Sequence, residues 1–265
     1  MAAKGKYKLK NIFLINKTYS GIYNNLENKH LETEAVFGEE FFISKTTKNY
    51  SFGTLSSDNY QGWIKNEDLS SFTKTTHKVI LPNIIVYDSP DIKSSNILNL
   101  SLGSKVQVIK KIGKWLEINL LKDKKINVGY VNKDSLIKLN KKFNDWVELA
   151  ENLLNIPYKW GGRSFLGLDC SALVQLTISF KKDIFFPRNS LDQFNYCMKY
   201  GNTTNIPSRG TLVFWEGHIG IMIDDKNLIH ANGFHAQVYS EPLKQAIKRL
   251  KKECGNIKCF FNLIF

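Results

Sequence analysis

The spacing of apolar residues changes near the middle of this chain. Up to about residue 138, hydrophobic residues come in short alternating or β-branched runs, broken by turns such as "SSDN" and "LKDKK". That rhythm predicts small β-barrels. The runs also repeat. "GWIKNEDL" (Gly62 to Leu69) and "GYVNKDSL" (Gly129 to Leu136) carry a Gly, an aromatic, a β-branched residue, an acidic residue and a final Leu in register. Upstream of each lies a second matching pair, "AVFGEEFFI" and "LSLGSKVQVI", in which a Gly turn precedes a strand-like run. Two copies of one β module account for both matches.

A polar connection, "LNKKFND", follows at residues 139–145. Asn144 or Asp145 is placed to cap a helix, "DWVELAENLLN", with Trp146, Leu149, Leu153 and Leu154 along one face. Beyond Pro157, "IPYKWGGRSFLGLDC" reads as loop, "CSALVQLTISF" as helix, and "TLVFW", "HIGIMID", "LIHAN" and "QVYS" as consecutive strands. A helix followed by an antiparallel sheet predicts an α+β domain. The expected division is 1–75 and 76–140 for the two β modules and 141–265 for the α+β domain.

Composition adds little to this picture. The 265 residues are 43% hydrophobic and 12% aromatic, which fits folded domains. The net charge of +13 is spread along the chain. Its densest patches, "KKIGKWLEINLLKDKK" and "IKRLKKECGNIK", lie outside any nucleic-acid motif, so a solvated lysine-rich surface is expected and no nucleic-acid partner. No window approaches a membrane span, and no obligatory protein partner is evident. The start, "MAAKGKYKLKNIFLIN", lacks the apolar run and cleavage site of an export signal, so a cytoplasmic location is expected, or a periplasmic or extracellular one if a leader was trimmed.

Four cysteines, Cys170, Cys197, Cys254 and Cys259, are too few for a disulfide framework, and neither they nor the histidines have zinc-ligand spacing. No metal and no organic cofactor is expected. Cys170 differs from the others in its surroundings. Asp169 sits where an N-cap belongs, and Leu173, Leu176, Thr177 and Phe180 recur at helical spacing behind it. A thiol in the first turn meets unsatisfied N–H groups and the positive end of the helix dipole, which predicts a lowered pKa and a nucleophile.

A thiol acting on an amide also needs a base, and histidine suits that task. His218 in "WEGHIGIMID" opens one predicted strand and His230 in "LIHANG" closes the next, so one can act as base while the other orients it. His30, His77 and His235 have no comparable context.

Taken in order, "YKWGGRSFLGLDCSALVQ", "FPRNSLDQ", "GTLVFW", "GHIGIMID" and "LIHANG" resemble the motifs of the NlpC-type cysteine peptidases, which cleave bacterial cell-wall peptides. The resemblance runs from about residue 145 onward. It implies a papain-like fold with Cys170 as nucleophile, His218 as base and His230 as the third polar residue. Ala172 and Thr211 stand where the family usually has Gly and Asp, which predicts altered packing and unchanged chemistry.

The N-terminal repeats resemble the paired bacterial SH3-like barrels of one branch of that family, the γ-D-glutamyl-L-diamino-acid endopeptidases. That resemblance implies a murein-peptide substrate with a free N-terminal L-alanine, and a first barrel that closes one end of the cleft. It further implies that Asp169, Tyr158 and Ser171, with Trp160 beside them, receive the free ammonium. Glu39 and Tyr60 would contribute from the first barrel, and Arg188 and Ser190 would hold the γ-linked glutamate. The Cys170 N–H and Tyr158 would face the oxyanion. Two other readings keep the same fold: a silent wall-binding protein, and an amidase or acyltransferase.

Overall fold

The computed structural model describes residues 11–121, 127–181 and 185–263. The expected "LKDKK" turn lies outside these apart from Leu121, as do the first ten residues of the start discussed above. The chain divides into two compact units, Met1–Lys141 and Lys142–Phe265.

The N-terminal unit is entirely β apart from two short 3-10 turns among its described residues. Its first half contains β1 (Ile12–Ile15), β2 (Tyr19–Tyr23), β3 (Leu31–Val36), β4 (Glu40–Thr46), β5 (Tyr50–Leu55), β6 (Gln61–Lys65) and β7 (Leu69–Ser71). Its second half contains β8 (His77–Val79), β9 (Asn83–Tyr87), β10 (Asn96–Ser101), β11 (Lys105–Val106), β12 (Val108–Ile112), β13 (Trp115–Asn119), β14 (Val128–Asn132) and β15 (Leu136–Lys138).

The first sheet runs β3-β2-β6-β5-β4-β1-β7, and the second half gives β10-β9-β14-β13-β12 and β11-β8-β15. These are one topology twice, with the strand equivalent to β4 broken into β11 and β12. The ladder is irregular at the same place in both copies, between Ile43 and Lys45 and between Val108 and Lys110. Each repeated "G-aromatic-β-branched" stretch forms a strand followed by a 3-10 turn and another strand, β6 to β7 and β14 to β15. Each upstream Gly, Gly38 and Gly103, is left-handed, at φ 75° and 85°. Gly62 and Gly129 each lie against the partner strand, where a Cβ would come within 2.4 Å of Ile22 and Val86 respectively.

The copies share apolar packing because strand side chains alternate. Ile15 of β1 joins Ile22, Phe41, Leu55 and Ile64 in one core, while the adjacent Leu14 joins Phe37, Val79, Leu100, Ile118 and Val131 in the other. The Lys105 amide donates to the Phe37 carbonyl at 2.8 Å.

The C-terminal unit contains α1 (Val147–Glu151), β16 (Arg163–Ser164), β17 (Gly167–Leu168), α2 (Cys170–Ile178), α3 (Ser190–Tyr200), β18 (Gly201–Thr203), β19 (Leu212–Trp215), β20 (His218–Met222), β21 (Asn227–Asn232), β22 (Gln237–Pro242), α4 (Leu243–Cys254) and β23 (Cys259–Leu263). Its main sheet is antiparallel, in the order β18-β23-β19-β20-β21-β22. The α+β expectation holds. Helix α1 is shorter than expected; Asp145 Oδ1 accepts the Val147 amide at 3.1 Å, and Leu154, expected on the apolar face, is 38% exposed.

Helix α2 is buried along its whole length and packs on β20 and β21. Helix α4 covers Val213, Trp215, Met222 and Leu228 with Ala246 and Leu250. Among the described residues no helix is long and apolar enough to cross a membrane.

Candidate active site

The cysteine is held by the residue before it. Asp169 caps α2, its Oδ1 accepting the Ala172 amide at 2.8 Å and the Ser171 hydroxyl at 3.0 Å. Gly161, left-handed at φ 72°, turns its amide onto Asp169 Oδ2 at 3.0 Å, which explains a glycine at that position. The buried Arg188 forks onto the same carboxylate, Nη1 to Oδ1 at 2.9 Å and Nη2 to Oδ2 at 2.5 Å, and donates to Ser171 Oγ at 2.7 Å. Gln193 of α3 then ties the Ser171 carbonyl to that of Pro187.

This arrangement corrects two expectations. Asp169 accepts five hydrogen bonds from within the protein, which fills the roughly four lone-pair sites of a carboxylate, so it offers no open acceptor to an ammonium. Arg188 spends its fork on Asp169 and not on a substrate carboxylate. Together they brace the helix start. Ser171 Oγ donates to Asp169 and accepts from Arg188, which leaves it one acceptor site.

The histidines come together as the strand order requires. A two-residue turn, Glu216 and the left-handed Gly217, makes His218 the first residue of β20. His218 Nε2 lies 2.8 Å from His230 Nδ1. Gly220 keeps this space open, since a Cβ there would come within 2.6 Å of Leu228 Cδ1 and 3.3 Å of His230 Cβ. Cys170 meets the same strand, since α2 packs on β20, and the backbone amides of Ile219, next to His218, and of Ser171 favour its thiolate form.

The lowered thiol pKa expected from the helix start is not what the site produces. Burial, reinforced by the Asp169 charge, pushes the Cys170 thiol up to about 12, against the smaller pull of the two amides and Arg188. Burial also lowers His218 to about 3, with His230 and Arg249 acting in the same direction. The resting pair is therefore a neutral thiol and a neutral imidazole.

This has a consequence for stability. Below pH 6.5 the unfolded chain protonates the His218 imidazole, and the folded chain does so only near pH 3. Stability is full above 6.5 and falls with pH between these limits, by about 1.4 kcal/mol per pH unit from this one group. Urea unfolding at pH 6, 5 and 4 will show this slope in the wild type and lose it in His218→Asn. Equal slopes would mean that His218 is not buried neutral.

Tyr158 is half-buried, and burial, with the nearby Cys170 and Asp169, raises its hydroxyl to about 12, so it stays a donor. Trp160 is 68% exposed. Ser190 opens α3 and lines a shallow recess with Trp215, Glu216 and Lys258, beside the turn that carries His218. Glu39 and Tyr60 belong to the N-terminal unit. Glu39 is buried and its carboxylate accepts the Val36 amide at 2.9 Å, so it braces the Gly38 turn. The Tyr60 hydroxyl donates to Glu32 at 2.9 Å.

Ala172 is fully buried, and Thr211 replaces the expected acid by bonding Asn262 and the Ser208 amide.

Three residues near the histidines escaped the sequence reading. Glu241 accepts from His230 Nε2 at 2.9 Å and from Arg249. His235, set aside on sequence, is returned by the turn after Asn232 and stacks on Tyr239 at 3.8 Å. His230, His235 and Glu241 come close enough to suggest a metal site. The Arg249 guanidinium on Glu241 puts a positive charge where a cation would sit.

Residues 155–252 match the NlpC/P60 family, and residues 22–69 match the bacterial dipeptidyl-peptidase SH3 domain. A probable endopeptidase of Haemophilus influenzae is 32% identical over 90 residues, which are 32% of this chain and 55% of that protein. Dipeptidyl-peptidase 6 of Lysinibacillus sphaericus is 30% identical over 86 residues, 32% of this chain and 31% of that protein. The chain thus spans about half or less of the length of these curated relatives. In fold, an NlpC/P60 family protein from Bacillus cereus superposes with a TM-score of 0.78 over 96% of this chain and 100% of that one, at 16% identity. The chain carries an NlpC/P60 domain of papain-like fold, preceded by a bacterial dipeptidyl-peptidase SH3 domain.

Proposed function

We propose that this protein is a cysteine peptidase acting on peptidoglycan peptides, and that it cleaves the bond between γ-D-glutamate and a diamino acid in murein peptides with a free N-terminal L-alanine. The observation that carries the peptidase reading is the line from Cys170 at the start of α2 to His218 and His230 within the NlpC/P60 match. The narrower substrate is supported by the SH3 match and by the similarity to a protein named Dipeptidyl-peptidase 6.

Because thiol and imidazole are both neutral at rest, proton transfer accompanies attack. His218 takes the thiol proton as sulfur bonds the γ-carbonyl carbon, and the charge goes to the carbonyl oxygen. The Cys170 N–H at the helix start and the Tyr158 hydroxyl are the donors proposed for that oxyanion. Collapse breaks the C–N bond, the leaving amine takes the proton from His218, and a thioester remains. Water then attacks the thioester, His218 accepts its proton, and the C–S bond breaks as the sulfur takes that proton back, which releases the carboxylic acid product and restores the neutral thiol and imidazole. Ser171 Oγ, with its remaining acceptor site, and Tyr158 are proposed for the substrate ammonium, held in place by Asp169 and Arg188. Trp160 and Ser190 are proposed to flank the bound peptide.

Mass spectrometry of products from L-Ala-γ-D-Glu-diaminopimelate and from its N-acetylated form tests the reading. Release of L-Ala-D-Glu from the free amine only, at least about 100-fold faster than from the acetylated peptide, is expected from an unpaired polar site left by the blocked amine. Equal cleavage of both would remove the amino-terminal requirement and leave the peptidase. Fragments from any other bond would turn the reading toward an amidase or acyltransferase.

A further inference from the structure

The histidine line does not end at His230. On β21, His230 follows Leu228 by two residues, so both lie on one face of the sheet, the face that α4 covers. Glu241 of β22 stands directly opposite Leu228 in the ladder and shares that face. His230 Nε2 lies 2.9 Å from Glu241 Oε1, and Arg249 of α4 contacts the same oxygen, with its guanidinium 4.8 Å from the Phe234 ring centre.

The proton positions follow from the acceptor at the end of this line. Burial raises the Glu241 carboxyl, but the hydrogen bonds from His230 and Arg249 outweigh it and hold the group below the usual carboxylate range. An ionised carboxylate only accepts, so the proton between it and His230 sits on His230 Nε2. His230 is neutral, because burial lowers its pKa, so its Nδ1 carries a lone pair. That lone pair accepts from His218 Nε2, which must then hold the proton of neutral His218. Nδ1 of His218 is left unprotonated.

We infer that Glu241, anchored by Arg249, is a positioning residue that sets the tautomers of both histidines so that His218 Nδ1 is the base for the Cys170 thiol. This rests on Cys170 being the nucleophile. The charge also acts when His218 becomes an imidazolium, which keeps donating through Nε2 while Glu241 offsets its charge across His230. The other groups facing the line are Cys170 of α2, the Asp169 and Arg188 pair beside it, and His235 and Tyr239 beyond His230.

Two readouts without a peptide substrate test this. One is the 15N chemical shifts of His218 and His230, which report the tautomer. The other is the rate at which iodoacetamide alkylates Cys170, followed by peptide mass; sulfur bonds the methylene carbon, iodide leaves, and the thiol proton goes to His218. The wild type should show single Nε2–H tautomers. Glu241→Leu should give mixed tautomers and slow alkylation by about 100-fold, the lower range of general-base contributions. Glu241→Gln retains an oxygen acceptor, so it should restore the tautomer while moving the acid limb of the pH–rate profile to lower pH, because a negative charge that favours imidazolium is gone.

Should Glu241→Leu fail to fold because Arg249 is left unpaired, Glu241→Leu/Arg249→Met removes both charges and carries the same test. Unchanged tautomers with alkylation within about twofold of wild type would overturn the inference, since such a change lies far below a general-base effect. A wild type with the expected tautomers and reactive thiol that cleaves no murein peptide would overturn the proposed function and leave this inference standing.

Discussion

Cys170→Ala should abolish peptide hydrolysis while leaving the fold intact. The loss expected is on the order of 10⁴-fold or more in kcat, since removing a nucleophile leaves only the binding and oxyanion contributions. The structure makes the replacement mild in every other respect. Cys170 is the first residue of α2 and is 8% exposed, its cap is the Asp169 side chain, and alanine suits a helix. Measured against L-Ala-γ-D-Glu-diaminopimelate, the variant should show no product above background, with a thermal midpoint within a few degrees of wild type. Hydrolysis at the wild-type rate would end the cysteine mechanism.

Asp169→Ala should be the most destabilising substitution near the site. It removes the carboxylate that both arms of the Arg188 guanidinium hold, at a side chain only 2% exposed, and breaking such a buried pair costs about 3–5 kcal/mol. It also removes the cap of α2, worth about 1 kcal/mol. Against a typical total of about 5–15 kcal/mol, the variant should be partly or wholly unfolded near 37 °C. Urea titration of Asp169→Ala, Arg188→Met and the double variant measures the coupling directly. A double variant more stable than either single one would identify the broken ion pair as the cause. Additive losses would show that the pair contributes no coupling energy.

The sequence made some features of this molecule legible and hid others for physical reasons. The twin β modules were readable because a strand shows its period locally and because Gly38, Gly62, Gly103 and Gly129 mark positions where the backbone leaves no choice. The helix behind Cys170 and the strands bearing His218 and His230 were readable in the same way. The state of the thiol was not. A helix terminus acts over one turn and is visible in sequence, whereas burial to a pKa near 12 is imposed by parts of the chain that fold onto the site from elsewhere, among them β20, on which α2 packs.

Glu241 and Arg249 were hidden for the same reason. Each looks like a solvated charge in its own segment, and only the pairing of β21 with β22 beneath α4 puts them on His230. Asp169 and Arg188 each suit a substrate group when read singly; their separation of 19 residues gives no sign that they bind each other.

The strand order carries a further consequence for how the C-terminal unit is assembled. β23 comes last along the chain yet lies inside the sheet, joining β18 to β19. During synthesis, therefore, β18 has no permanent neighbour while β19 to β22 are being made. The edge of β19 stays open until β23 arrives and closes the gap. Such non-local closure slows folding and leaves an unpaired edge exposed to other chains. A domain built this way acquires its complete sheet only after every residue of its histidine line has already been translated.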